Sequence, residues 1–463
     1  MTSADGWRRS SRELAAAYAE GSSTPTEVVE SVIEHAARVD GRLNIFAHRA
    51  FDAARAQAEQ STRRWRRGEP LGPYDGVPIT VKDNIPVAGM PCEWGSRVFE
   101  GRLAQRDELC VARLRERGWV ILGKTNVSEF TLGRGNVSTP LHGTTRNPWA
   151  PALTTGASTG GSAAAVASGV GPAALGTDGG GSIRWPAGYC GLVGLKPSLG
   201  RVPRVDGLPV VLHDLEVAAP LARSVADVEA LLQAMAGPDP RDRASHLLAA
   251  PAEADRALRI RYVPQFGEHP VDPEITASVN TVAERLRALG HEVDTGPAPH
   301  DVARFDAHWP TIGTAGLAWL LRDHDGWRDV VADIYPPMVA QGSSASAIDY
   351  VAALNAFREL YLELAEFFRT ADLLLTPVAG AMPWPAEQLA PPHQRVFTGI
   401  ANATGVPAIS LPGPASPQGL PIGFQLIAAF GADQLLLRLA AQYELAYPWA
   451  DRWPSPTPPT AED

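Results

Sequence analysis

The sequence predicts one large α/β domain, from its length, its composition and its alternating strand and helix patterns. The chain has 463 residues, enough for about three average domains. No linker divides it, and the 45% hydrophobic and 20% charged content is typical of globular proteins. We therefore treat residues 1–463 as one domain. Its expected core covers about 5–449, and 450–463 form a proline-rich, disordered tail.

The composition of the chain indicates where the protein is located and which classes of partner it lacks. No apolar run reaches the roughly 18 residues that cross a bilayer, and the N-terminus lacks an apolar signal core. These features predict a soluble, cytoplasmic protein without a membrane partner. Cys92, Cys110 and Cys190 are too few and too scattered for a disulfide framework or a tetrahedral metal site. The formal net charge of −10 argues against a nucleic-acid partner.

The first elements are defined by caps and periodicity. In "STPTEVVESVIEHAARVD", Thr24 is a predicted N-cap, Pro25 takes the first helical position, and Glu27 completes a capping box. The segment "AFDAARAQAEQ" leads to "RRWRR" at 63–67, which we interpret as solvated cations at a helix C-terminus. "GVPITVKDN" predicts a short strand that ends at Lys82, and "DELCVARLRERG" predicts a helix.

The stretch "GWVILGKT", residues 118–125, matches the phosphate-binding pattern G-x-x-x-x-G-K-[ST]. Its variable positions are large: Trp119, Val120, Ile121 and Leu122. Such residues favour a buried strand and fit poorly in a tight loop that exposes backbone N–H groups. We therefore predict a strand that ends at Gly123, and a P-loop NTPase that uses Lys124 remains a remote alternative.

Two glycine- and serine-rich clusters lie within residues 154–197, separated by an Ala-rich segment that predicts a helix from near Ser162. In the second cluster, "GTDGGGSIR", three glycines precede Ser182. Without Cβ atoms, backbone N–H groups could converge on an oxyanion there. A plain flexible turn is the alternative for such a loop.

Several ordered motifs together resemble the amidase signature family of serine hydrolases. They are "GVPITVKDN", "GASTGGSAAAVASG", "GTDGGGSIRWPAGYCGLVGLKP", "GWVILGKTNVSEF", "GVPAISLPG" and "GLPIGFQLIAA". The interval from Ser158 to Ser182, 182 − 158 = 24 residues, is similar to the family's spacing. The resemblance runs from about Thr24 to Tyr447. It implies a single large α/β domain with a mixed, mostly twisted β-sheet core covered by helices on both faces.

The resemblance also implies the catalytic residues. Ser182 would be the nucleophile, Ser158 the bridging serine and Lys82 the base. The backbone N–H groups of residues 179–182, namely Gly179, Gly180, Gly181 and Ser182, would form the oxyanion hole. Asp178 and Arg184 would brace the loop, most simply as a structural ion pair. A lysine can act as a base only when burial or another cation lowers its pKa.

One position departs from the family. Its usual Gly-Gly-Ser-Ser is here Gly156-Ala157-Ser158-Thr159. In the family, the counterpart of Ser158 follows a cis peptide bond, so the methyl group of Ala157 would lie beside that bond. Whether the bond is cis in this chain is left open by the sequence.

Other hydrolytic mechanisms fit the sequence less well. None of the eleven histidines lies within the three motifs, and no Gly-x-Ser-x-Gly elbow surrounds Ser182. His142, the nearest histidine in sequence, is predicted to be a structural residue on a loop. No H-E-x-x-H pair is present, so we expect neither a metal nor another cofactor.

The predicted activity is hydrolysis of C–N bonds in small-molecule amides through an acyl-enzyme. Trp309, Trp319 and Trp327 could line an apolar or aryl-binding pocket, although core packing suits each equally well. We expect hydrophobic or aryl amides, with carbamates (urethanes) open to the same chemistry. The alternative is the glutaminase-type subunit of a tRNA amidotransferase. The oligomeric state is open, a homodimer included.

Overall fold

The structure, a computed structural model, describes residues 3–246 and 256–455. The helices are α1 Ser11–Glu20, α2 Pro25–Leu43, α3 Phe51–Arg67, α4 Leu109–Glu116, α5 Gly160–Ser168, α6 Arg184–Cys190, α7 Val225–Met235, α8 Pro273–Ala288, α9 Val302–Leu321, α10 Tyr335–Ser344, α11 Ala347–Phe367, α12 Gly399–Ala403 and α13 Asp433–Ala446. The strands are β1 Phe46–Arg49, β2 Pro78–Lys82, β3 Val120–Thr125, β4 Ser138–Thr139, β5 Gly143–Thr144, β6 Ala173–Asp178, β7 Val193–Lys196, β8 Val217–Ala222, β9 Arg259–Tyr262, β10 Glu292–Thr295, β11 Leu373–Pro377, β12 Ala408–Pro412 and β13 Gly423–Ala428.

Eleven strands form one mixed sheet in the order β1-β3-β2-β6-β8-β7-β12-β13-β11-β9-β10. Alternate residues of a strand point to opposite faces, and in this sheet they enter different cores. Leu175 of β6 packs in the cluster that contains Val228 of α7. Its neighbour Ala174 packs in the cluster that contains Val166 of α5. Helices therefore cover both faces, and the predicted α/β class and architecture are confirmed.

The local predictions near the N-terminus largely hold. Helix α2 begins at Pro25, and Thr24 and Glu27 form the predicted capping box. Strand β2 ends at Lys82 as predicted. Helix α5 begins at Gly160, two residues before the expected start, because it follows directly on the turn at Thr159.

The stretch 118–125 is a buried strand and not a phosphate loop. All residues of β3 are buried, and the strand runs through Lys124 to Thr125, two residues beyond the predicted end at Gly123. Lys124 Nζ lies 3.6 Å from Asp83 Oδ1, and both side chains are fully buried. A lysine held in this way cannot reach a phosphate in solvent, so nothing in the structure supports the P-loop alternative.

The arginine-rich end of α3 is less solvated than expected. Arg64 donates two hydrogen bonds to the fully buried carboxylate of Asp75, at 2.7 and 2.6 Å. Trp65 Nε1 donates to the carbonyl oxygen of Asp75 at 2.8 Å. These contacts fix the turn that precedes β2, while Arg63 and Arg67 remain mostly exposed as predicted.

Among the described residues, no helix is both long enough and apolar enough to cross a bilayer. Trp453 packs edge-on against Trp7, and the guanidinium of Arg223 lies 3.6 Å from the centre of its ring. Part of the expected tail thus contacts the N-terminal segment. The rest of that tail, residues 456–463, lies outside the described residues.

Candidate active site

The sheet brings Lys82 to the loop that carries Ser182. Strands β2 and β6 are parallel neighbours, with Ile79 opposite Ala173 and Val81 opposite Leu175. The carboxyl ends of parallel strands meet at the same sheet edge, where α/β proteins commonly place their sites. The end of β2 at Lys82 therefore lies beside the end of β6 at Asp178.

The ammonium group of Lys82 has three oxygen neighbours and is fully buried. Its Nζ lies 2.8 Å from Ser158 Oγ, 2.8 Å from Thr177 Oγ1 and 3.2 Å from the Thr177 carbonyl oxygen. Asn84 Nδ2 also donates to Thr177 Oγ1, at 3.0 Å. The structure thus joins Lys82 to Ser158, two of the three side chains that the sequence singled out.

Burial lowers the pKa of Lys82 to about 7, against the opposing effect of the carboxylates of Glu216 and Asp178. No carboxylate pairs directly with Lys82 Nζ within the described part of the chain. An amine in this position exchanges its proton near neutral pH, which is the property required of a general base.

The peptide bond between Ala157 and Ser158 is cis, so the methyl group of Ala157 is compatible with that geometry. Both residues are buried. The next residue, Thr159, connects the first loop to the second, because its N–H donates to the Ser182 carbonyl oxygen at 3.2 Å. Ser158 is thereby held between Lys82 and the loop that carries Ser182.

Ser182 lies at the end of the glycine run, with 4% of its surface exposed. Its Oγ is not hydrogen-bonded to any of the described residues, Ser158 included. The two hydroxyl groups therefore lie on adjoining loops without a direct bond between them. This leaves the Ser182 oxygen free to contact a substrate.

A buried ion pair between Asp178 and Arg184 supports the loop that carries Ser182. This pair was expected from the sequence. The two side chains form a bidentate pair, at 3.0 and 2.9 Å. Asp178 also accepts the N–H of Gly181 at 2.7 Å and that of Ile183 at 3.2 Å. Burial acts to raise the pKa of Asp178, but Arg184 and the N–H of Gly181 outweigh it and hold that pKa well below its usual range.

The Gly180–Gly181 peptide is fixed from both sides. Its N–H points to Asp178, while its carbonyl oxygen accepts from Thr398 Oγ1 at 2.8 Å and Arg395 Nη1 at 3.2 Å. A Cβ at Gly181, whose φ is +108°, would lie 2.1 Å from Thr398 Oγ1, so this position requires glycine. The Gly181 N–H is used within the loop, and the predicted donors without a partner among the described residues are those of Gly179, Gly180 and Ser182.

Several residues that hold the site were not singled out from the sequence. Asn402 and Gln425 accept hydrogen bonds from Arg184 at 2.6 and 2.5 Å. Thr177 and Gln425 lie inside motifs that the sequence analysis quoted, so their positions were visible but their roles were not. Thr398 and Asn402 lie more than 200 residues from the loop they support, and no local pattern marks them.

The three tryptophans that could line a pocket lie in different parts of the structure. Trp309 lies against the glycine loop that carries Ser182, since a Cβ at Gly180 would be 2.9 Å from its ring. Trp327 is buried in a separate apolar cluster, and Trp319 is 47% exposed beneath Arg322. Of the three, only Trp309 is therefore placed to contact a substrate.

A cavity of about 190 Å³ lies near the site, although Lys82, Ser158 and Ser182 are not among its lining residues. Its lining includes Asn84 and Glu216 together with Trp94, Leu208 and Leu212. Leu212 also faces Gly179, so the cavity adjoins the start of the glycine run. A cavity of about 150 Å³ can hold benzene, so this one has room for a single aryl ring.

His142 does not belong to the site. Its Nε2 lies 3.1 Å from the carboxylate of Glu93, and it sits on the short β4–β5 hairpin as a structural residue. No histidine among the described residues contacts Ser182, and the basic side chain that is hydrogen-bonded to Ser158 is Lys82.

Within this α/β fold, two neighbouring parallel strands end at a buried lysine and at a glycine-rich loop that carries a serine. A family model described as Amidase matches residues 27–437. The chain belongs to this amidase signature family, as the motifs predicted.

Individual relatives extend the likeness along the whole chain. It is 36% identical over 462 residues to a subunit of the glutamyl-tRNA(Gln) amidotransferase of Synechococcus sp. (strain CC9605), covering 92% of this chain and 94% of that protein. It is 32% identical over 466 residues to an acylamidase of Rhodococcus erythropolis, covering 96% and 97%. The crystal structure of a bacterial aryl acylamidase of the amidase signature family superposes with a TM-score of 0.87 at 28% identity, covering 96% and 97%.

Proposed function

We propose that this chain hydrolyses amides of hydrophobic or aryl groups through an acyl-enzyme on Ser182. The observation that carries the proposal is the fully buried Lys82, held 2.8 Å from the Ser158 hydroxyl at the foot of the glycine loop. Similarity to an acylamidase and to an aryl acylamidase supports the substrate class. Room for one ring in the adjoining cavity supports it independently.

The lysine contacts indicate the direction of proton flow. The Thr177 carbonyl oxygen can only accept, and Thr177 Oγ1 already accepts from Asn84. A neutral Lys82 can direct its two N–H groups to the two Thr177 oxygens, which leaves its lone pair for the Ser158 hydroxyl. Ser158 can then give its proton to Lys82 and take the proton of Ser182, once the two hydroxyl groups, which are not bonded in the free chain, approach each other as Ser182 attacks.

The reaction follows in balanced steps. Ser182 Oγ bonds to the amide carbon while its proton passes through Ser158 to Lys82, and the carbonyl oxygen becomes an oxyanion. The N–H groups of Gly179, Gly180 and Ser182 are the proposed donors to that oxyanion. The C–N bond then breaks, and the leaving amine takes the proton back from the relay. Water cleaves the resulting ester by the same route, which releases the acid and restores Ser182.

Carbamates (urethanes) are included in the proposal, because their C–N bond is open to the same attack.

The reaction uses no cofactor, so we expect treatment with EDTA to leave amide hydrolysis unchanged. Loss of activity with EDTA that zinc restores would reject the serine mechanism if the circular dichroism and the labelling of Ser182 were unchanged by EDTA, because the metal would then act in the reaction and not in the fold. A cytoplasmic location and the absence of nucleic-acid and membrane partners belong to this proposal as well, with a homodimer among the open oligomeric states.

Labelling of the nucleophile tests the assignment. A sulfonyl fluoride should modify Ser182 and stop turnover, and mass spectrometry locates the modified residue. Ser182→Ala should lose both the label and the activity. Ser162, buried and bonded to Thr125 at 2.7 Å, supplies the matched control, so Ser162→Ala should still be labelled at Ser182. Label on Ser158 alone, or full activity of Ser182→Ala, would refute the proposal.

A second candidate function is that of a glutaminase in a tRNA amidotransferase, favoured by 36% identity to the Synechococcus amidotransferase protein. A panel of amides, anilides, carbamates, esters and glutamine separates the two. We expect the isolated chain to turn over bulky amides vigorously and glutamine poorly. Glutamine as the best substrate, together with stable copurification of two other proteins, would favour the amidotransferase.

A further inference from the structure

Three polar side chains from distant segments meet outside the lysine–serine site. His269 lies in the loop between β9 and α8, Asp306 lies on α9, and His393 precedes a short 3-10 turn at Gln394–Phe397. One nitrogen or oxygen atom of each lies within 4.8 Å of the other two. Among the described residues, this is the one group of at least three His, Cys, Asp or Glu side chains with such spacing.

Contacts within the group are close. His269 Nε2 lies 2.6 Å from Asp306 Oδ2, and the centres of the His269 and His393 rings are 4.6 Å apart. The side chains of His269 and Asp306 are 15% and 34% exposed, and His393 is exposed. An ion in solution can therefore reach all three, whereas a fully buried trio would be closed to it.

Backbone contacts hold two of the three segments in place. The His269 N–H donates to the Phe266 carbonyl oxygen at 3.1 Å. Next to His393, Gln394 Oε1 accepts the N–H groups of Gly380 and Ala381 at 2.9 and 3.1 Å. The third segment is the long helix α9. The cluster thus lies on anchored segments, which lowers the entropy cost of ordering it around an ion.

The donor set selects the class of ion. Two imidazoles and one carboxylate suit Zn²⁺ and related transition metals, whereas Mg²⁺ and Ca²⁺ prefer oxygen ligands. In a tetrahedral zinc site the donor atoms lie roughly 3.3 Å apart, as follows from metal–ligand bonds of about 2.0–2.1 Å. Zinc would take the place of the proton between His269 and Asp306, and the His393 ring would rotate inward.

The two elements that carry Asp306 and His393 also reach the loop that carries Ser182. One turn after Asp306, Trp309 lies against Gly180. Two residues after His393, Arg395 donates to the Gly180 carbonyl oxygen at 3.2 Å. An ion between these elements would join two supports of that loop without touching the reacting atoms.

We propose that His269, Asp306 and His393 form a zinc site that ties α9 and the segment following His393 to the loop after β9. The site is structural and separate from the serine chemistry. A fourth coordination position would be taken by water, as three-residue protein sites allow.

Titration of the tag-free, metal-free full chain with ZnCl₂ tests this site. Isothermal calorimetry should show one zinc ion per chain. The melting temperature should rise with zinc concentration, because an ion that binds only the folded chain stabilises it. Binding of CoCl₂ in place of zinc should produce the visible absorption of a tetrahedral cobalt site.

Variants decide whether these residues are the ligands. His269→Ala and His393→Ala should each weaken zinc binding by about ten- to a hundredfold or more, since even outer-shell partners of metal ligands have effects of that size. His308→Ala is the matched control, because it removes a histidine from α9 two residues beyond Asp306 and should bind zinc as the parent does. Unfolded variants are detected by circular dichroism, and Asp306→Asn then serves as a milder change.

Absence of saturable binding, or equal affinity in the parent and the three ligand variants, would overturn the proposal. The result is independent of the proposed amide hydrolysis, because binding is measured without substrate. Failure of Ser182 to be labelled would leave the zinc titration unaffected, and the reverse also holds.

Discussion

Lys82 and Lys124 are two fully buried lysines on adjacent parallel strands, and their partners differ in kind. Lys124 lies 3.6 Å from the carboxylate of Asp83 and donates to the carbonyl oxygens of Asp83 and Pro91 at 3.1 Å each. Lys82 contacts two hydroxyl groups and one carbonyl oxygen, with no carboxylate in direct contact. The comparison teaches that the partners of a buried lysine, more than its burial, determine whether it serves structure or chemistry.

An ammonium beside a carboxylate is stabilised as a cation, because acceptor-only groups surround it. An ammonium beside hydroxyl groups lacks that compensation, and burial then favours the neutral amine. Burial lowers the pKa of Lys82 to about 7, and among the described residues no carboxylate contacts its Nζ directly. The predictions below separate the two roles.

The largest expected effect is on the activity of Lys82→Met. The methionine fills a similar volume but cannot accept a proton, so acylation by an anilide should fall by about 10²- to 10⁴-fold. Stopped-flow measurement of amine release checks this, and circular dichroism verifies that the variant is folded. Activity within a few-fold of the parent would indicate that Lys82, like Lys124, has a structural role.

Lys124→Met should show the converse, a loss of stability. The change leaves the carboxylate of Asp83 buried without its cation, which typically costs about 3–5 kcal/mol of unfolding free energy. Urea denaturation measures the loss, and Lys124→Met combined with Asp83→Asn should recover part of it. Turnover per folded molecule should stay close to that of the parent. An unchanged denaturation midpoint would contradict the structural role.

Thr398→Val should have an intermediate effect. The valine keeps the shape but removes the hydroxyl that fixes the Gly180 carbonyl oxygen. Small displacements of catalytic groups cost up to about a hundredfold in rate, so we expect kcat to fall within that limit while KM changes little. Thr398→Ser, which keeps the hydroxyl, should retain most of kcat. An equal loss in both variants would indicate a packing role instead.

The smallest expected effect is the pH dependence. The base must be neutral to accept a proton, so kcat/KM for an anilide should rise with pH as Lys82 loses its proton. With a pKa of about 7, the increase between about pH 6 and 8 should be roughly tenfold. Burial also lowers the pKa of Lys196 to about 7, although this lysine donates only to the Pro197 carbonyl oxygen. Lys196→Met should therefore leave the pH profile of kcat/KM unchanged. Loss of the inflection in that variant would mean that Lys196, and not Lys82, is the group that titrates.

The contrast between the two lysines also shows how far the sequence predicted the fold. Caps, periodicity and glycine clusters predicted α2, β2 and the two loops, because each depends on neighbouring residues. The end of β3 was predicted two residues short, since a lysine usually marks the end of a buried strand. Lys124 continues the strand because Asp83 pairs with it, and that pairing depends on the tertiary fold.

The same limit applies to the site. Lys82, Ser158 and Ser182 lie in motifs that can be recognised one at a time, and the structure places them on adjoining elements. Arg395 and Thr398 reach the loop that carries Ser182 from more than 200 residues away, and only the folded sheet brings them there. The proposed zinc site was missed for the same reason, because its three residues belong to separate segments.

Acylation of Lys82→Arg by an anilide and by its matched nitrophenyl ester tests directly whether Lys82 is the base. Guanidinium stays protonated, so it keeps a cation at this position but cannot serve as the base. If Lys82 is the base, anilide acylation should fall by orders of magnitude, as in Lys82→Met, while ester acylation should fall much less because its leaving group needs no proton. Anilide acylation by Lys82→Arg near the rate of the parent would contradict a lysine base.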